Sequence, residues 1–286
     1  MRGSQKGRIV VGFDGSKESC AAVEWAAREA EQGGLALTLL HVDDRPKVVA
    51  GLLPARRTAA LAEGVLRARS SAPTIDVTSL TRRGSTAEVL ISGSVEAELL
   101  VIGTRGHGDG AGTLLGSVAF AVPGRSRIPV VVVRGQSSRH PGPGRPVVVG
   151  IDGSEAGEGA ARYGGLMAAR TGAPLILVTA YPLSSPGSYF SAESSSRESF
   201  DTLVRQDAER VTSGAAESVR ARHAGLDVRV RVVEGPAAWV LTEAAREAAL
   251  LVVGSRGLTG LDGLLLGSVS HSAVHSSPCP VAILPA

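Results

Sequence analysis

Short runs of β-branched and aliphatic residues recur along the chain, separated by alanine-rich stretches that carry charge on one side. In the first half these runs lie near Arg8–Phe13, Ala36–Val42, Ile75–Thr81, Leu99–Gly103 and Pro129–Arg134. In the second they lie near Pro146–Ile151, Pro174–Ala180, Asp227–Val233, Leu250–Gly254 and Val281–Leu284. Stretches such as VVVG at Val147–Gly150 and LLVVG at Leu250–Gly254 are apolar without alternation. That is the pattern of strands covered on both faces, so it predicts a parallel sheet between helical layers. Between the runs, Glu18–Gln32 sets Ala22, Val23, Ala26, Ala27 and Ala30 on one helical face and stops at Gly33–Gly34, where glycine ends a helix. Each half therefore alternates strand and helix and closes on a fifth strand. With right-handed crossovers the result is an α/β chain of two doubly wound, Rossmann-like, five-stranded parallel-sheet domains.

The halves are copies of each other. Arg8–Ser16 (RIVVGFDGS) returns as Pro146–Ser154 (PVVVGIDGS), displaced by 138 residues. Leu100–Gly106 (LVIGTRG) returns as Leu251–Gly257 (LVVGSRG), displaced by 151. The second copy thus holds 13 extra residues between these anchors, most of them in the serine-rich stretch Leu183–Ser199. Following the second strand, that stretch is expected to form a mobile flap on the ligand side, with Tyr189 and Phe190 ordering over a bound ligand. Gln136–Arg145 (QSSRHPGPGR) has linker composition. The expected domains are 1–136 and 145–286, joined by 137–144.

Composition narrows the partners. A length of 286 residues suits two domains of about 100–150 each. No apolar run approaches the roughly 18 residues that span a bilayer, so no membrane partner is expected. The N-terminal stretch lacks the apolar core of a secretory signal, which points to the cytoplasm. Lys and Arg total 30 against 27 Asp and Glu, a formal charge of +3, and the arginine pairs are dispersed among acids. Solvated faces, not a nucleic-acid surface, are the expectation. Cys20 and Cys279 fall in different halves without metal-ligand spacing and read as small buried apolar residues. Trp25 and Trp239 are assigned to core packing.

Candidate chemistry gathers at the end of the fourth strand of each copy. The glycines there read Gly103-x2-Gly106-x9-Gly116-Ser117 and Gly254-x2-Gly257-x9-Gly267-Ser268. Ligands of open α/β sheets collect at the carboxyl ends of strands where the strand order reverses. Gly103, Gly106, Gly254 and Gly257 let backbone approach a ligand closely. Gly116-Ser117 and Gly267-Ser268 open the fourth helices, whose free N–H groups and positive dipole end suit phosphate. Asp14 and Asp152 follow the first strands directly, where a carboxylate reaches a ribose hydroxyl or an adenine amine. Arg105 and Arg256 stand beside the loops, to neutralise phosphate or to face solvent.

These glycines, the strand-end aspartate of DGS and the closing Pro-Val strands (Pro129–Val130, Pro280–Val281) resemble the universal stress protein family in its ATP-binding branch, in both copies and so almost end to end. The resemblance implies an adenine nucleotide alpha hydrolase-like fold and ATP as ligand. Mg²⁺ or Mn²⁺ would then bridge the phosphates, since no protein cage for a metal is present. By resemblance, Asp14 and Asp152 contact the adenosine part and Val42 and Ala180 meet adenine through backbone groups. Gly103, Gly106, Gly116 and Ser117, with Gly254, Gly257, Gly267 and Ser268, cradle phosphates. The family's pairing through fifth strands implies an internal pseudo-dimer, with a homodimer as a further step. Gly254–Ile283 follows the family pattern closely; the first copy departs at Gly106–Gly112 (GHGDGAG) and at Pro123, which is expected to kink or end the fourth helix early. The second site is therefore expected to bind more tightly.

Catalytic machinery is not evident. No GxxxxGK[ST] or GxSxG string occurs, nor an HxGH or SGGxxS turn. His271 and His275 stand four apart, but HSAVH lacks the glutamate and third ligand of a zinc site. Three readings stay open: a regulator that senses or holds ATP in a stress response, a slow ATP hydrolase in which Asp14 or Asp152 orients metal or water, and a dimeric scaffold with empty sites.

Overall fold

The computed structural model describes residues 7–44, 54–106, 115–135, 139–182, 194–258 and 266–286, without the side chains of 54–58 and 194–200. In the first half the order is β1 (Arg8–Gly12), α1 (Lys17–Gly33), β2 (Ala36–Asp43), α2 (Pro54–Ser71), β3 (Val77–Arg83), α3 (Thr86–Gly93), β4 (Leu99–Gly103), α4 (Ser117–Arg125) and β5 (Val130–Val133). The second repeats it as β6 (Val147–Gly150), α5 (Glu155–Thr171), β7 (Leu175–Tyr181), α6 (Ser194–Arg222), β8 (Val228–Glu234), α7 (Ala237–Ala244), β9 (Leu250–Gly254), α8 (Ser268–Ser276) and β10 (Val281–Leu284).

The ten strands among the described residues form one sheet, ordered β3-β2-β1-β4-β5-β10-β9-β6-β7-β8. Every pairing is parallel except the central one, where Val281, Ala282 and Ile283 run antiparallel to Val132, Val131 and Val130. Because successive strand residues point to opposite faces, each strand feeds two cores. Ile9, Val11, Leu37, Leu39, Val101 and Val131 face α1, α2, α5 and α6, while Val10, Leu40, Leu100, Ile102, Val130 and Val132 face α3, α4, α7 and α8. Both layers run unbroken across the seam. Each fully buried Val, Leu or Ile contributes about 1.5–3 kcal/mol, which is what holds the helical layers on the sheet. The outer strands β3 and β8 carry Arg82, Arg83, Arg229 and Arg231 on exposed positions, charges that discourage pairing with other chains.

The seam is polar as well as apolar. Phe120 on α4 meets His271 on α8 edge-to-face, ring centroids 5.5 Å apart. On the opposite face, Glu29 of α1 is buried and pairs with Arg170 of α5 in the other half. His140 approaches the same carboxylate through Nε2 at 3.3 Å. Its ring packs on Trp25 at 5.3 Å, and burial draws its imidazole down to about 4. Where it is described, the Pro/Gly stretch is packed: His140, Pro141 and Gly142 are buried, and Gly142 and Arg145 exchange backbone hydrogen bonds in a turn.

Three expectations are corrected. Pro123 does not shorten its helix: α4 and α8 both span nine residues and end on equivalent bonds, Ser126 N–H to Val122 O at 3.0 Å and Ser277 N–H to Ala273 O at 2.9 Å. A proline this close to the end removes a single hydrogen bond, and its ring is buried. Ser194–Ser199 are helical, the opening turns of α6, while residues 183–193, with Tyr189 and Phe190, lie outside the described residues. Trp25 is fully buried, but Trp239 is 59% exposed on α7 and is not a core residue.

Candidate functional site

Strand β1 lies between β2 and β4, and β6 between β7 and β9. The chain therefore crosses over in opposite directions from each, and the loops that leave the strand ends part to open a crevice. The DGS sequence builds one wall of it. Gly15 and Gly153 take φ of 86° and 81°, which only glycine adopts without strain. Across that turn the aspartate folds back: Asp14 Oδ1 accepts from Ser16 N–H at 2.9 Å, and Asp152 Oδ1 from Ser154 N–H at 3.0 Å. Ser16 and Ser154 then cap α1 and α5, accepting from Ser19 N–H at 3.2 Å and Gly157 N–H at 3.1 Å.

The second carboxylate oxygen faces the loop after the fourth strand. Asp152 Oδ2 accepts from Leu258 N–H at 3.2 Å, tying β6 to the loop after β9. A Cβ on Gly106 would stand 2.7 Å from Asp14 Oδ2, and one on Gly257 would collide with Asp152 Oδ2. These glycines make room for the aspartates. Gly103 and Gly254 make room for helices: a Cβ there would lie 2.8 Å from the backbone carbon of Glu18 and 2.7 Å from the Ala156 Cβ, respectively. Gly267 is different. Its φ of −68° is ordinary, and among the described residues a Cβ on it would meet nothing closer than 3.5 Å.

Gly116 and Gly267 are the N-caps of α4 and α8, and neither cap has a side-chain hydrogen bond. Each is held in place from below, Gly116 N–H donating to Thr104 O and Gly267 N–H to Ser255 O, both at 2.8 Å. The first-turn amides of these helices are thus positioned at the crevice but not consumed by a capping side chain. The arginines beside them differ. Arg105 is bound to Glu18 at 2.9 Å, whereas the residue equivalent to Glu18 in the second half is Ala156, and no ion pair of Arg256 occurs among the described residues.

Two cavities result, of about 850 Å³ in the first half and about 670 Å³ in the second. Asp14, Val42, Gly103, Gly106, Gly116 and Ser117 all line the first; Asp152, Ala180, Gly254, Gly257, Gly267 and Ser268 all line the second. Val42 and Ala180 reach their walls because β2 and β7 run past the ends of β1 and β6, whose last paired residues are Gly12 and Gly150. Residues 107–114 and 259–265, with Gly108, Gly110 and Gly112, lie outside the described residues.

Sequence reasoning missed several lining residues. His41 faces the first cavity with Nδ1 against Phe13 O at 2.9 Å, and Thr179 replaces it in the second. The alignment of the copies carried that difference. Asp207 and Val211 enter the second cavity from α6 with no motif to announce them.

A family model described as "Universal stress protein family" matches residues 6–134 and 144–285. The chain belongs to the universal stress protein family. Universal stress protein Rv2005c of Mycobacterium tuberculosis is 33% identical over 303 residues, covering 96% of each chain. A universal stress protein of Mycolicibacterium smegmatis is 34% identical over 290 residues, again covering 96% of each. The fold is shared with a solved universal stress protein from Archaeoglobus fulgidus, at TM-score 0.73 and 20% identity over 98% of this chain and 97% of that one. These relatives match both universal stress protein halves at once, so the tandem form is common to them. No helix among the described residues is long and apolar enough to cross a membrane, and no cluster of three or more potential metal ligands occurs among them.

Proposed function

We propose that each half of this universal stress protein holds ATP, with Mg²⁺ or Mn²⁺ bound through the phosphates, and that occupancy sets the conformation or partners of a cytoplasmic stress-response regulator. The observation that carries this reading is the uncapped N-terminus of α8 opening into the second cavity behind Gly267, a glycine whose φ of −68° other residues also adopt and whose added Cβ would meet nothing closer than 3.5 Å among the described residues. Glycine there keeps the first-turn amides reachable, and such amides suit a phosphate. Cavities of about 850 and 670 Å³ fall within the usual range of small-molecule sites. Adenine would lie toward Val42 and Ala180 and ribose toward the aspartates.

Calorimetry with ATP and Mg²⁺ on the intact chain tests this, with nucleotide analysis of natively purified protein alongside. Heat of binding at both sites is expected. No heat and no thermal shift at millimolar ATP would refute it and leave a scaffold. A turnover assay on the same preparation separates holding ATP from slow hydrolysis.

A further inference from the structure

Arg134 follows β5 at the end of the first domain, yet its guanidinium works in the second. Nη2 donates to the carbonyl of Val274 at 3.0 Å and also to that of His275. These are among the last carbonyls of α8, which have no donor within the helix. The arrangement runs one way. The residue equivalent to Arg134 in the second half is Pro285, which has no N–H or cationic group to return to α4.

Helix α8 has nine residues, so its ends are only about 13 Å apart at roughly 1.5 Å per residue. Its first turn, Ser268–Ser270, lines the second cavity. In two and a half turns there is no slack: holding the final carbonyls holds the line of the helix and hence the aim of its first amides. Arg134 is half-buried and leaves the strand end next to that of Arg105, since Gly103 pairs with Val133 and Thr104 N–H donates to Val133 O at 3.0 Å; its charge is disfavoured first by burial and then by Arg105. Arg105 lines the first cavity.

We propose that Arg134 is a positioning residue of the second site and that it carries the state of the first cavity to that site across the seam. The proposal rests on the nucleotide reading given above. Arg105 already pairs with Glu18 at 2.9 Å, and a phosphate in the first cavity adds further negative charge beside it, which relieves the like-charge pressure on Arg134 and firms its hold on α8. The second site then binds better, and by linkage filling the second site favours the first to the same degree.

The test is a cycle on the full chain. Second-site affinity for ATP–Mg²⁺ is measured with the first site intact or blocked by Gly116→Ala, each with Arg134, Arg134→Gln or Arg134→Lys. With Arg134, filling the first site is expected to tighten the second about three- to tenfold. Arg134→Gln weakens the second site several-fold and removes its dependence on the first; Arg134→Lys restores part of both. Without nucleotide, Arg134→Gln speeds hydrogen exchange of the α8 amides and leaves α4 unchanged, a local effect that a general loss of stability would not produce. Two sites that bind ATP independently, or coupling that survives Arg134→Gln, overturn this inference alone. No ATP binding in any chain overturns the nucleotide reading and this inference with it.

Discussion

Gly267→Ala separates the two reasons a glycine can stand at the head of α8. The nearest described atoms to an added Cβ are Arg256 Cα and Ser255 O, both at 3.5 Å, an ordinary van der Waals contact. At φ −68° and ψ 161° alanine sits without strain. Alanine is a poorer N-cap than glycine by roughly 0.5–1 kcal/mol. Restricting the unfolded chain returns about 0.4–1 kcal/mol, so folding stability should change by less than about 0.5 kcal/mol. Binding should not escape. A phosphate oxygen must come to about 2.9 Å from the first-turn amides, and a methyl at the cap intrudes on that approach. Losing one charge-assisted hydrogen bond costs about 1.5–3 kcal/mol, roughly 10- to 100-fold in second-site affinity. Gly254→Ala is the control, because its Cβ would lie 2.7 Å from the Ala156 Cβ and 3.1 Å from that residue's carbonyl carbon. It must push α5 from β9, at about 1–3 kcal/mol. Urea unfolding gives the stabilities, and calorimetry on chains with the first site blocked gives the affinities. If Gly267→Ala binds ATP like the parent, or unfolds as readily as Gly254→Ala, the reasoning fails.

Other expectations follow from neighbouring contacts. Glu18→Gln releases Arg105 from its 2.9 Å ion pair and should raise first-site affinity by up to about fivefold, an effect that fades with added salt; a salt-independent or absent change would mean that Arg105 does not reach the ligand. Asp152→Asn weakens the acceptor for Leu258 N–H and should lower second-site affinity about tenfold while the urea midpoint moves little, and equal affinity would remove Asp152 from the site. Stability should also fall on acidification. Burial holds the His140 imidazole at about 4 instead of 6.5, so the unfolded chain takes up the proton first, and stability present at neutral pH is lost between those values. The ceiling is about 3 kcal/mol, reduced by the Glu29 carboxylate beside Nε2. His140→Gln should flatten that part of the urea-unfolding pH profile; an unaltered slope would assign it to other groups.

Much of this was legible in the sequence because the signals were local. An apolar run such as VVVG needs only its own residues to specify a strand covered on both faces, and DGS specifies turn, carboxylate and cap in three positions. The two offsets then placed the glycines and aspartates of both copies together. What stayed hidden depends on residues far apart in the chain. Glu29, His140 and Arg170 meet from two helices and a connecting segment, and no spacing announces a buried ion pair between domains. Trp239 was misjudged because side-chain size says nothing about whether a neighbouring layer reaches it; α7 leaves it 59% exposed. Pro123 was misjudged because a proline's effect depends on where in the helix it falls, and near the last turn it is tolerated. Gly267 and Gly257 looked alike in the motif, but only geometry separates a glycine that accommodates a carboxylate from one that keeps a surface open.

The antiparallel seam between β5 and β10 has a consequence for symmetry. Two identical chains joined this way face each other across a two-fold axis, and every contact must serve both partners with the same residues. Joining the copies in one polypeptide lifts that constraint. Phe120 packs against His271, its own counterpart 151 residues later, where a homodimer would set Phe against Phe or His against His. The counterpart of Arg134 is Pro285, which cannot return its contact. Covalent fusion therefore lets one copy become a lever and the other its load. The halves of a fused chain can thus diverge residue by residue, as Glu18 and its counterpart Ala156 do, where the halves of a symmetric dimer cannot.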